Sequence, residues 1–275
     1  MLKIRRRIVL GTLATALALG TSAVQAADAD KKELVFGATA GYNYDVLKLA
    51  IVPQLEQSGY KVKLVEFNDY VQPNLALAQG SLDANLFQHI AYLNRFKTDK
   101  KLDLIDLAQS TTAPMGIYSK TRKSLNEIQE GDSFTLPNDP SNLARALQLL
   151  QTNQVIKVKQ DIDPLRVTER DVTENARSIK FLPVEAGQLP RTVGDSDFSI
   201  VPGNFAIAAG MDLTSAIVLE QPPIEYQQVV AVRTEDADKP WAKDLAAAFK
   251  SQAFKDALDK HFQGYVRPAA LSELK

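Results

Sequence analysis

Cysteine is absent from this 275-residue chain, histidine occurs twice and tryptophan once. Without cysteine there is no disulfide framework, no thiolate nucleophile, no thiolate zinc site and no residue to carry a thioether-linked lipid. With only His89 and His261, the His-Glu-x-x-His metal signature is excluded as well. Serine hydrolysis would need a serine and an acid converging on His89, and no Gly-x-Ser-x-Gly string is present. Paired carboxylates for glycoside chemistry stay open, because they can lie far apart along a chain. An excess of one charge sign is also missing: 32 basic residues meet 33 acidic ones, for a formal net charge of −1. No basic stripe of the kind that binds nucleic acid appears.

What is present begins with an export signal. Lys3, Arg5, Arg6 and Arg7 precede an apolar run from Ile8 to Leu19, and Ser22-Ala-Val-Gln-Ala26 offers small residues for cleavage after Ala26. The run is too short to cross a membrane. The Arg-Arg-Arg-Ile-Val-Leu stretch faintly resembles a twin-arginine signal, so Sec and Tat export both stay open. Removing residues 1–26 takes away four positive charges, moving the formal charge from −1 to about −5. About 250 residues remain, enough for one large domain or two modest ones. No later segment has the length of apolar sequence that a membrane span needs. An exported, cysteine-free chain of this kind is expected to be soluble in the periplasm, untethered by lipid.

Strand and helix patterns then alternate. Residues 34–38, 60–66 and 82–86 read as strands, and helices are expected over 43–57, 69–80 and 89–100. A second series follows Pro114, with strands over 115–118, 133–136, 179–182 and 197–201 and a helix over 142–152. Residues 218–226 are extended and proline-marked, and 241–262 carries one or two amphipathic helices. Strand–helix repeats at this spacing predict βαβ units on mostly parallel sheets. The chain therefore reads as two α/β lobes with a ligand cleft between them. The first spans 32–112 plus 228–275, and the second 113–227.

Several strings resemble a known family. Gly80-Ser-Leu-Asp-Ala-Asn-Leu-Phe-Gln-His89 with Tyr92, Met115-Gly-Ile-Tyr-Ser-Lys120, Leu136-Pro-Asn-Asp-Pro-Ser-Asn-Leu-Ala-Arg-Ala-Leu147, Gln188-Leu-Pro-Arg191 and Ile200-Val-Pro-Gly-Asn204 resemble, in order, the methionine-binding lipoproteins of ABC importers. The likeness runs from about residue 33 to 264. It implies a two-lobed, type II-like periplasmic-binding fold that closes on a methionine-type amino acid and docks on an ABC permease. A monomer with no cofactor, no metal and no catalysis is expected. Another neutral amino acid or a short peptide is the alternative ligand.

The residues themselves suggest how such a ligand would be held. Asp139-Pro-Ser-Asn142 can cap the helix that follows, and a helix start with an arginine, Arg145, in its first turn suits a carboxylate. The bland reading of Arg145 is a solvated helix residue. Asn85, Phe87 and His89 sit at a strand-to-helix junction, where ligand crevices open in parallel sheets. The resemblance implies that Tyr70, Phe87, His89 and Tyr92 line the side-chain pocket, whose rings suit a thioether. It also implies that Asn204 holds the ligand's polar end with an amide that both donates and accepts. Core packing or capping is the plain alternative for Tyr92 and His89, and a loop role for Asn204. Glu185 is not assigned to the ligand.

Three departures stand out. The lipidation cysteine that usually follows the signal is missing. Gln228 stands where the family's connector commonly carries asparagine, lengthening the amide by one methylene. Gly41-Tyr-Asn-Tyr44 replaces a proline-bearing turn, and Tyr42 or Tyr44 would narrow the pocket if either entered the cleft. A chaperone or adhesin would need an exposed apolar face, and no stripe in the sequence asks for one.

Overall fold

The structure, a computed structural model, describes residues 31–263 and 265–274. The expected signal over residues 1–26 lies outside them.

Two five-stranded sheets organise the chain. The first is ordered β2-β1-β3-β12-β4, from β1 (Glu33–Thr39), β2 (Lys61–Phe67), β3 (Ala84–His89), β4 (Leu104–Gln109) and β12 (Gln228–Arg233). The second is ordered β11-β5-β10-β6-β9, from β5 (Gly116–Tyr118), β6 (Ser133–Pro137), β9 (Lys180–Val184), β10 (Phe198–Val201) and β11 (Val218–Leu219). A small hairpin, β7 (Lys157–Val158) with β8 (Val172–Glu174), stands apart. Each sheet is mixed. Strands joined through helices pair in parallel, as β1 does with β2 and β3. The late strand β12 comes back from the second sheet and pairs antiparallel with both β3 and β4. The short β5, reached directly from β4, pairs antiparallel with β10 and β11.

The helices follow from their caps and apolar faces. The stretch after β1 is α1 (Tyr42–Val46), a π-helical turn over Leu47–Ile51, and α2 (Val52–Gln57). Pro53 lacks the N–H that would bond one turn back and crowds that carbonyl, so the ladder loosens ahead of it. Next come α3 (Gln72–Ala78) and α4 (Ile90–Lys100) on the first sheet. The ring of His89 caps α4 by accepting from Tyr92 N–H, and left-handed Lys101 ends it. In the second lobe α5 (Pro140–Thr152) is capped by Asp139, with Pro140 at its first position. Short α6 (Leu189–Thr192) and α7 (Gly203–Ala208) follow β9 and β10. The chain ends in α8 (Pro240–Ala248) and α9 (Gln252–His261), whose Trp241, Phe249, Phe254 and Phe262 join Phe36 and Leu34 in the core of the first lobe.

The second lobe has its own core, where Phe134 and Phe198 stack at 4.5 Å beneath α5. A third apolar cluster joins the two lobes: Tyr70, Phe87 and Tyr92 from the first meet Tyr118, Val201 and Phe205 from the second. That cluster borders the functional cleft. Among the described residues no helix is long and apolar enough to cross a membrane, and no group of three His, Asp or Glu residues could hold a metal.

Candidate functional site in the interlobe cleft

The carboxyl ends of β3 and β4 and the start of β12 face the starts of α5 and α7 across the cleft. One pocket there is lined by Tyr70, Phe87, His89 and Tyr92 from the first lobe, by Asn142, Arg145 and Asn204 from the second, and by Gln228. Gln88, Ala113, Pro202 and Gly203 complete the wall. The free space among these side chains is about 10 Å³, close to the minimum for one water. A molecule the size of an amino acid therefore reaches this site only when the lobes part or the lining side chains turn. Larger hollows of about 280 and 580 Å³ are lined by residues 145–226 alone, and one of about 250 Å³ lies between α4 and residues 163–166, sharing no lining residue with this pocket.

Two hydrogen bonds cross the cleft directly. Tyr70 OH donates to Asn204 Oδ1 at 2.7 Å, and His89 Nε2 stands 3.1 Å from Asn142 Oδ1. His89 Nδ1 accepts from Tyr92 N–H at 3.0 Å, which leaves the proton on Nε2 and makes that nitrogen the donor to Asn142. Asn142 is fixed in turn by donating its Nδ2 to both oxygens of Asp139, at 3.1 Å each. Tyr92 OH donates to the carbonyl of Tyr70 at 2.6 Å. Around these bonds the rings of Tyr70, Phe87 and Tyr92 meet at centroid separations of 5.7–5.9 Å, and Phe205 closes on Tyr70 at 4.9 Å. Such ring faces and edges suit a thioether chain.

Burial controls the protonation of the site. It pushes His89 down to about 3, helped by the positive charge of Arg145, so the ring is neutral. The unfolded chain binds that proton near pH 6.5. The stability gained by keeping the ring neutral is therefore complete above that value and is lost as pH falls towards 3. Between pH 6 and pH 4, wild type is expected to lose about 2–3 kcal/mol more unfolding free energy than His89→Gln, as measured by urea titration. Equal losses in the two proteins would remove His89 as the cause.

Two expectations about the carboxylate grip need correction. The start of α5 is not free for a ligand, because Asp139 already occupies it, accepting from Asn142 N–H at 3.0 Å and from Ser141 Oγ at 3.1 Å. Arg145 lies in the second turn of α5, not the first, and its fork is engaged. Nε and Nη2 donate to the two oxygens of Glu220 at 2.8 and 2.5 Å, and the Tyr226 ring lies 5.0 Å from the guanidinium carbon. Asn85 does not reach the pocket either. It donates to Asn74 Oδ1 and to the carbonyl of Pro73, inside an amide network that also pins Gln88. Tyr42 and Tyr44 stay out of the cleft. Tyr42 packs on Tyr265 and Phe262 at 4.8 and 6.0 Å, and Tyr44 borders the same first-lobe core.

Sequence reasoning missed Gln88, Gly203 and Glu220. Gln88 and Gly203 stood inside the strings already singled out. Glu220, distant in sequence from Arg145, gave no signal. Two buried polar atoms of the pocket residues have no protein partner, the donor Asn204 Nδ2 and the acceptor Gln228 Oε1.

Two mixed sheets joined by a double chain crossing, with a mixed aromatic and amide pocket between them, define a two-lobed solute-binding protein. The comparisons agree. The NlpA lipoprotein family matches residues 34–270, and the chain belongs to that family. The D-methionine-binding lipoprotein MetQ of Escherichia coli (strain K12) is 35% identical over 238 residues, covering 86% of this chain and 88% of the relative. The MetQ of Yersinia pestis is 37% identical over 231 residues, covering 83% and 85%. A solved nutrient-binding protein from Burkholderia cenocepacia, bound to methionine, superposes with a TM-score of 0.81 at 39% identity, covering 85% of this chain and 99% of that one.

These names overturn the expectation of a soluble, untethered protein. The family, the MetQ relatives and Outer membrane lipoprotein 3 of Mannheimia haemolytica, 34% identical over 92% of this chain, are all lipoproteins by name. These 275 residues contain no cysteine.

Proposed function

We propose that this chain captures a methionine-type amino acid between its lobes and delivers it to an ABC permease. The observation that carries the reading is the pair of unpartnered, buried amide atoms in one aromatic-walled pocket. Asn204 Nδ2 is a donor for a carboxylate and Gln228 Oε1 an acceptor for an ammonium group. Other buried polar atoms among the described residues also lack partners, but these two line the interlobe pocket, where a ligand can satisfy both.

Tyr70, Phe87, His89 and Tyr92 hold the side chain, while Asn142, Arg145, Asn204 and Gln228 surround the polar end. The lobes are residues 32–112 with 228–275 and residues 113–227, and a signal over 1–26 directs export. A ligand touching both lobes binds the closed form better than the open one, and that difference drives closure. The protein acts as a monomer and performs no chemistry on what it binds. The methionine-bound relative and the names of the MetQ proteins support the choice of ligand.

Thermal unfolding with and without ligand tests this. Methionine at 100 times its dissociation constant is expected to add about 2.7 kcal/mol to stability. No shift with either enantiomer at millimolar concentration sinks the assignment, and mass spectrometry of molecules co-purifying with the protein would then name the true ligand.

A further inference from the structure

We infer that Glu220 sets the charge the cleft accepts. By closing the guanidinium of Arg145 into a neutral pair, it makes the site select zwitterionic amino acids over anions of the same shape. This rests on the proposed reading of the cleft as an amino-acid site.

Glu220 follows β11 and is anchored on three sides. Its Oε1 accepts from Arg145 Nε, its Oε2 accepts from Arg145 Nη2 and from Met115 N–H at 3.0 Å, and its own N–H donates to Met115 O at 2.9 Å. The side chains of Arg145 and Glu220 are 5% and 7% exposed, so water does little to screen them, and Tyr226 covers the guanidinium. An unpaired arginine at this wall would attract any carboxylate that fits, whether or not it carried an ammonium group. Paired with Glu220, it belongs to an ion pair with no net charge, although the guanidinium half still acts on His89.

The other ionisable groups near the pocket tilt the field further against anions. Asp139 sits behind Asn142, and Asp69, Asp139 and Glu185 all act electrostatically on Tyr92. His89 is neutral and adds no positive charge. Of the atoms left unpaired, Asn204 Nδ2 suits one end of a zwitterion and Gln228 Oε1 the other. An anion without the ammonium leaves Gln228 Oε1 buried and unsatisfied, a penalty the zwitterion escapes. Glu220 is thus a positioning residue: it acts on the ligand through Arg145.

Calorimetry with two ligands tests this: methionine, and 4-(methylthio)butanoate, the anion with hydrogen in place of the ammonium group and so no donor for Gln228 Oε1. Wild type is expected to prefer methionine. In Glu220→Gln the ratio of the two dissociation constants should move about tenfold or more towards the anion, the effect one charge exerts across about 12 Å at an effective dielectric near 20. Glu220→Asp, which keeps the charge, should hold the wild-type preference even where both ligands bind more weakly. A purely structural role would weaken both ligands alike. An unchanged ratio in Glu220→Gln that still binds methionine overturns the charge role and leaves the functional reading standing. Wild type binding neither ligand overturns both. Should Glu220→Gln fail to fold, Glu220→Ser is read in the same way: a ratio shifted towards the anion upholds the proposal and an unchanged one overturns it.

Discussion

Arg145→Ala is expected to destabilise the fold by about 3–5 kcal/mol, because truncating one partner of a buried ion pair strands the other. Glu220 would be left at 7% side-chain exposure, bonded only to Met115 N–H and facing a cavity where the guanidinium stood. Tyr226 would lose the cation beneath its ring. In a chain of this size each kcal/mol moves the melting temperature by roughly 2–4 °C, so a drop of about 10 °C is expected in calorimetric unfolding. A fall of less than about 1 kcal/mol would mean the pair is solvated in solution. Because the damage reaches the fold itself, weakened ligand binding by this variant alone says little about direct contact. Replacing both partners by Met separates the two effects, since an apolar pair of similar volume is often close to neutral in stability.

Gly203→Ala is the second large effect. A Cβ at residue 203 would stand 2.3 Å from the carbonyl oxygen of Pro114 and 2.9 Å from the Cβ of Ala113. The obstacle is backbone, which cannot swing aside as a flexible side chain can, so the start of α7 must move away from the strand crossing. Overpacking of this kind costs about 1–3 kcal/mol. The next residue is Asn204, whose Oδ1 accepts from Tyr70 OH. Displacing it breaks that bridge and shifts the unpartnered Nδ2. Ligand affinity is expected to fall by about 5- to 150-fold, since a buried donor or acceptor left unsatisfied costs about 1–3 kcal/mol. Unchanged melting temperature and unchanged affinity together would show that α7 accommodates the methyl group without consequence.

The alternation of strand and helix patterns announced both lobes, and five short strings carried most of the cleft. The pattern placed His89 only at a strand-to-helix junction and the pocket role came from the resemblance; its ring lines the cleft and also caps α4, as the plain alternative had it. Asp139 was legible as a cap from Asp-Pro-Ser-Asn alone. Other features depended on contacts between distant segments. Glu220 and Arg145 lie 75 residues apart, and nothing local marks them as partners. Asn85 misled because its place beside Phe87 suggested a pocket role. The register of β3 against β12 slips at residue 87, so plain alternation does not set 85 beside 87, and the amide of Asn85 is drawn into bonds with Gln88, Asn74 and Pro73. Strand β12 was read only as the end of a connector. Its Val229-Val-Ala-Val232 run is buried throughout, and such runs lack the alternation that identifies a half-exposed strand. Tyr42 was ambiguous for a related reason, since an aromatic after a glycine turn serves a core as readily as a cleft.

The position of β12 between β3 and β4 has a consequence for how the polypeptide acquires its shape. All strands of the second sheet fall between residues 116 and 219, so that half can condense as soon as its own segment is available. The first sheet cannot: its central gap stays open until residue 233 has been made, and α8 and α9 arrive later still. A nascent or C-terminally shortened chain thus exposes the facing edges of β3 and β4 while the other half is already compact, and those edges are where mispairing with a second copy would start.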